Sequence, residues 1–168
     1  MKKNLLCLFI ILVLCTGCPY ESAIPIDKPK VMVDKALLGI WKDEDARGEP
    51  DNYDVRKADD FTFIITENTY SKEDRSLQQK RYSAFVSVVD GASYMNIKMI
   101  KDSVNITVSD NYLLYKIELK DKKLKLLPLS KYIKEQFDNS VDLQNFIKKY
   151  QNLSFFYGDH SSLVKVND

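Results

Sequence analysis

The chain has 168 residues, with 25 lysines and arginines against 24 aspartates and glutamates, for a formal charge of +1. That balance excludes a basic field able to hold nucleic acid. All three cysteines, Cys7, Cys15 and Cys18, lie near the N-terminus, which excludes a disulfide framework for the rest of the chain.

Lys2 and Lys3 precede an apolar stretch from Leu5 to Leu14, and the small residues Thr16 and Gly17 follow. A span needs roughly 20 apolar residues, so this shorter stretch reads as a targeting segment that is removed. Cys18 comes next, within "LVLCTGCPY", residues 12 to 20. This stretch resembles the lipobox of bacterial lipoproteins, with Cys15 where that family usually has leucine. The resemblance implies that residues 1–17 are a lipoprotein signal peptide and that the Cys18 thiol is diacylglycerated and becomes the new N-terminus. A lone thiol outside the cytoplasm is otherwise a liability, and two or three acyl chains give stable attachment where one holds weakly. The expected partner is then the membrane, through the lipid on Cys18. Pro19 stands where aspartate would resemble an inner-membrane retention signal, which points to the cell envelope and the outer membrane.

Without residues 1–17 the chain keeps 23 basic and 24 acidic side chains. The rest fits one domain by size and can bury roughly 68–70% of its unfolded surface. "PYESAIPIDKP", from Pro19 to Pro29, has three prolines and no period. Residues 18–32 therefore read as lipidated cysteine and extended tether, and residues 33–168 as a single β-rich domain.

Beyond the tether the period is two. A strand is expected at Leu38 to Asp43. "FTFIIT" puts Phe61, Phe63 and Ile65 on one face, and "YSAFVSVV" puts Tyr82, Ala84, Val86 and Val88 together. In "YMNIKMI", Met95, Ile97 and Met99 oppose Asn96 and Lys98. In "YLLYKIEL", Leu113, Tyr115, Ile117 and Leu119 lie inside, with Lys116 and Glu118 outside. Asp90-Gly91 is a hairpin signal, and Asp121-Lys122-Lys123 links the Tyr112 strand to "KLKLLPL". These read as half-buried strands with one wet face. "SKYIKEQF" and "SVDLQNFIKKYQ" carry apolar residues at spacings of three and four and predict a pair of short helices, the second capped by Ser140. Strands at Leu153 to Tyr157 and Ser162 to Val166 bring the count to about eight.

A short N-terminal turn, Gly39-Ile40-Trp41 on the first strand, an antiparallel meander, a helix and closing strands resemble the lipocalin-like barrels of small bacterial lipoproteins. The resemblance implies a mainly β fold, a meander closing into a barrel of about eight strands with one or two short helices near the C-terminus. An open α+β sheet covered by the late helices is the alternative. It also implies an indole laid across one barrel end under a basic side chain of the last strand, for which Lys165 is the nearest candidate. Eight strands enclose room for side chains or for one small ligand.

Large inward residues (Phe61, Phe63, Tyr82, Met95, Tyr115) allow a filled interior, while ten tyrosines in the chain suit a pocket for an amphipathic ligand. Trp41, Phe63, Tyr82, Tyr94 and Tyr115 are the candidate lining residues. The acidic stretch "DEDARGEPDNYD" can be laid on a calcium loop, with Asp43, Asp45, Asp51 and Asp54 as ligand candidates and Gly48 at the sharp turn. Arg47 at an oxygen-ligand position argues for a solvated acidic loop instead. The single histidine, His160, sits beside Asp159 and Ser161, but triads are assembled in space and not by adjacency. No phosphate loop or nucleophile elbow is present, and no cofactor is expected. The sequence thus points to a lipid-anchored protein whose barrel binds a small amphipathic ligand or an envelope component. The alternative is an interaction lipoprotein with a filled core, acting through an envelope protein.

Overall fold

The computed structural model of the chain describes residues 19–45, 51–71, 73, 75–100 and 110–166. Within them the period of two becomes nine strands: β1 (Glu21–Ser22), β2 (Gly39–Asp43), β3 (Asn52–Lys57), β4 (Phe63–Ser71), β5 (Ser76–Val89), β6 (Ala92–Met99), β7 (Tyr112–Lys120), β8 (Lys123–Pro128) and β9 (Ser161–Lys165). The helix α1 (Ser140–Tyr150) lies between β8 and β9. Strands β2 to β8 form an antiparallel meander, β9 pairs with both β8 and β2, and β7 pairs with β8, so eight strands close into a barrel. β1 adds a ninth, short strand to β7. The fold is a mainly β, lipocalin-like barrel, and the open-sheet alternative does not apply.

Turn chemistry fixes the hairpins. Asp90 and Gly91 both have positive φ, 51° and 81°, as a two-residue turn matched to strand twist requires. Asp121, at φ 55°, does the same between β7 and β8. β3 was not expected. Its "NYDVRK" offers only Tyr53 and Val55 as inward apolar residues, and the aspartates around it mimic a loop.

Two cores result. Inside the barrel, Leu37, Trp41, Val55, Phe63, Ala84, Met95 and Ile117 pack together. Outside it, Val89, Tyr94 and Leu114 pack under Leu143 and Ile147 of α1 and under Tyr20 and Ile26 of the N-terminal segment. Where this second core covers them, β5, β6 and β7 are packed on both faces instead of wet on one, while Ser76–Arg81 of β5 and Glu118 of β7 remain exposed. Phe61 and Val88, expected inside, are 41% and 48% exposed: Phe61 lies in the bend before β4, and Val88 at the hairpin end of β5.

Of the two expected helices, only "SVDLQNFIKKY" is one. Its cap is Asn139, whose side chain accepts from the Asp142 N–H at 2.9 Å; the Ser140 hydroxyl instead donates to the Pro25 carbonyl. In "SKYIKEQF" a turn gives way to an irregular run. Ile133 and Phe137 still reach the outer core, and the Glu135 carbonyl accepts from the Tyr20 hydroxyl at 3.0 Å. The strand expected at Leu153 to Tyr157 is a 3₁₀ turn, Ser154–Phe156, followed by a single bridge from Tyr157 to Leu129.

The segment read as a tether is, from Pro19 onward, a strap fastened to the barrel. Tyr20, Ser22 and Ile26 are buried. The Tyr20 N–H donates to the Leu129 carbonyl, Gln144 of α1 donates to the Ile26 carbonyl at 2.7 Å, and the Val33 N–H donates to the Asp60 carbonyl. Asn96, expected on a wet face, is fully buried beneath this strap. Its Oδ1 accepts from the Ile26 N–H at 2.8 Å and its Nδ2 donates to the Ser87 hydroxyl at 2.9 Å. Leaving a buried N–H without its acceptor costs about 1–3 kcal/mol. Asn96→Ala should therefore destabilise the fold by about that much in urea denaturation and, by loosening the strap, speed trypsin cleavage after Lys30, the strap lysine not followed by proline. Unchanged stability and unchanged cleavage would remove Asn96 as the fastener of the strap.

Candidate ligand-binding cavity

One end of the barrel is plugged. Leu37, in the 3₁₀ turn Lys35–Leu37, and Trp41 are both buried, and the indole N–H donates to the Leu37 carbonyl at 2.8 Å. Trp41 and Lys165 are cross-strand partners. The Lys165 ammonium lies 5.7 Å from the centre of the indole ring and donates to the Ala36 carbonyl at 3.2 Å, within the range of a cation–π contact. Gly39 makes this possible. Its φ of 117° disfavours any side chain, and a Cβ there would stand 2.8 Å from the Lys165 Cε.

Above the plug lies a cavity of about 300 Å³. Val55, Ile65, Met95, Leu124 and Leu163 form an apolar wall. Asp43 and Ser161, at the strand ends remote from Gly39 and Lys165, and Glu67, in the middle of β4 opposite Tyr53, bring polar groups to the same cavity. Tyr53, Tyr82 and Tyr115 stand along the wall. The Tyr82 hydroxyl donates to Glu67 Oε2 at 2.6 Å. Desolvation, and then the neighbouring Glu67, push the Tyr82 phenol well above its usual range. Tyr53 and Tyr115 are raised for the same first reason, with Glu67 adding in both cases.

Of the five expected lining residues, Trp41, Tyr82 and Tyr115 line the cavity. Phe63 is buried in the inner core without lining it. Tyr94 lies outside the barrel, where its hydroxyl donates to Gln151 Oε1 at 3.0 Å and lies 3.0 Å from the Tyr157 hydroxyl. The alternation that turns Met95 inward necessarily turns Tyr94 outward. Tyr53 and Glu67 were missed: the first sits on the unexpected β3, and the second continues the Phe63, Ile65 face past the end of "FTFIIT".

The four aspartates considered for calcium do not converge. Asp54 is held by Arg56 at 2.7 Å, Asp51 accepts from the Tyr70 N–H, and Asp43 accepts from the Asp45 N–H. Among the described residues no group of three or more potential metal ligands forms. Gly48 and Arg47 fall outside the described residues. His160 and Asp159 are exposed, and only their neighbour Ser161 reaches the cavity.

Comparison with family models, curated proteins and solved structures finds no match to this chain. No helix among the described residues is long and apolar enough to cross a membrane.

The tyrosines set a pH dependence. Tyr20, Tyr53, Tyr82, Tyr94, Tyr115 and Tyr157 all have raised pKa values in the folded chain, with burial as the first cause. A raised folded-state pKa keeps its stabilisation below the unfolded value of about 10 and loses it as pH climbs from there toward the folded value. Urea denaturation should show similar midpoints at pH 7 and 9 and a clearly lower one at pH 11, with phenolate absorbance appearing late. Equal midpoints at pH 9 and 11 would contradict this arrangement.

Proposed function

We propose that the protein is a bacterial envelope lipoprotein, anchored through lipid on Cys18, whose barrel binds a small amphipathic molecule. The observation that carries this reading is the cavity above Trp41: it combines an apolar wall with a few polar groups, and at about 300 Å³ it has the size of small-molecule sites. The position of Pro19 supports the coupling of anchor and cavity. Pro19 borders a surface depression whose other residues include Tyr115 and Ser161, both of which also line the cavity. The lipid would thus attach beside the open end. Attachment to the outer membrane is the expected location, from Pro19 after the lipidated cysteine.

The same depression favours a second reading, an interaction lipoprotein working through an envelope protein. Tyr132 and Phe155 border it and are 75% and 71% exposed, and exposed aromatics of that size are characteristic of contact surfaces.

Two measurements test the proposal. Cells fed alkyne-tagged palmitate should label the wild-type chain and leave Cys18→Ser unlabelled; label on the variant would refute the anchor. Native mass spectrometry of residues 19–168, which contain every described element, should show a reproducible adduct that leaves on denaturation. A bare protein that also fails to take up amphiphiles would favour the protein-partner reading.

A further inference from the structure

We infer that the ligand of this cavity bears a positive charge: its apolar body lies along the wall above Trp41 and its ammonium meets the Glu67 carboxylate. This rests on the ligand-binding reading above and narrows it to a chemical class, an alkyl or aryl amine.

Glu67 shares the inward face of β4 with Phe63 and Ile65, by strand alternation. An inward carboxylate next to Ile65 on that face, facing a cavity with an apolar wall, needs a partner. Its only partner among the described residues is the neutral Tyr82 hydroxyl, which occupies Oε2 and leaves Oε1 open. Lys80 stands opposite Glu67 in the β4–β5 register, but it is exposed and forms no ion pair with Glu67 in the structure. The surroundings add further negative charge. Asp43 lines the same cavity, and Glu67, Asp43 and Asp51 all act on Tyr53 in the direction that opposes another negative charge.

This field discriminates between head groups. A carboxylate would enter against Glu67 and Asp43. A hydroxyl would offer Glu67 one ordinary hydrogen bond. An ammonium offers a charge-assisted bond, about twice as strong as a neutral one, between tyrosine rings whose faces favour cations. The stem would then lie on Val55, Ile65, Met95 and Leu124, which line the wall.

Trp41 is the only tryptophan of the chain and lines the cavity, so its fluorescence reports occupancy directly. Residues 19–168 would be titrated at pH 7 with decylamine, decanol and decanoate. Decylamine should bind at least about tenfold more tightly than decanoate, with decanol between them, the size expected of one charge-assisted contact. Glu67→Gln should weaken decylamine about tenfold and decanol far less, because the glutamine carbonyl still accepts a hydrogen bond from a hydroxyl; an unchanged urea midpoint certifies that the variant folds. Lys80→Gln should preserve the preference for the amine. Decanoate binding as well as decylamine, or decylamine binding untouched by Glu67→Gln, would overturn the charge assignment while decanol binding still upheld the cavity. Failure of all three probes to bind would overturn the cavity reading itself.

Discussion

The insertion of β9 between β8 and β2 is the constraint on which the rest of the molecule depends. β8 ends and β9 begins at the same end of the barrel and they run antiparallel, so a short hairpin would have sufficed to join them. The chain instead spends residues 129–160 on the connection, and these carry α1 across the outside of the sheet. The reason lies in β5 to β7, whose outer faces present Phe85, Val89, Tyr94 and Leu114. A closed barrel has no edge to protect, but it gains nothing from closure on an apolar outer face. The long connection, together with the N-terminal strap, covers that face and makes a second core. The same insertion brings Lys165 level with Trp41, so closing the ring also sets the plug.

How far the sequence could disclose this follows from the same division. Inward faces obey a period of two, and Ala84, Met95 and Ile117 emerge correctly from alternation because a barrel interior is a single apolar surface. The plug was legible only through the family resemblance carried by Gly39-Ile40-Trp41, and the structure gives that pattern its cause in positive φ and close approach. The second core was not. Its residues interleave with inward ones, so "YSAFVSVV" reads as an apolar run and Asn96 as a solvated residue until something crosses over it. Nothing in the local pattern around Asn96 announces that Ile26, 70 positions away, will present an N–H there. Glu67 escaped for the opposite reason: a charged residue in a strand is assigned to water by default, and only the continuation of the Phe63, Ile65 face places it inward.

The strap alters what lipidation of Cys18 would mean mechanically. Proline-rich composition suggested a spacer holding the domain away from a membrane. Tyr20 is instead 4% exposed and tied through its backbone to Leu129 and through its hydroxyl to Glu135. A lipid two residues earlier leaves almost no free chain, so the barrel would ride against the bilayer in a restricted orientation. The exposed Tyr132 and Phe155, with Lys131 beside them, border the depression that Pro19 shares, an arrangement of rings and cation suited to the headgroup region.

Whether such a barrel is filled or open turns on its tyrosines and on one acid. Apolar aromatics would be free to lie across the lumen and close it, as Trp41 and Phe63 do at the plugged end. Tyr53, Tyr82 and Tyr115 carry hydroxyls that require partners when desolvated, and Tyr82 finds its partner in Glu67, which holds that ring against the wall. Glu67 in turn is tolerable only where water or a ligand can reach it, because burying an unpaired carboxylate in a packed core costs far more than a side chain of that size could return. An inward glutamate in a tightly filled barrel would therefore be selected against. Its place beside a volume of about 300 Å³ gives the carboxylate that access.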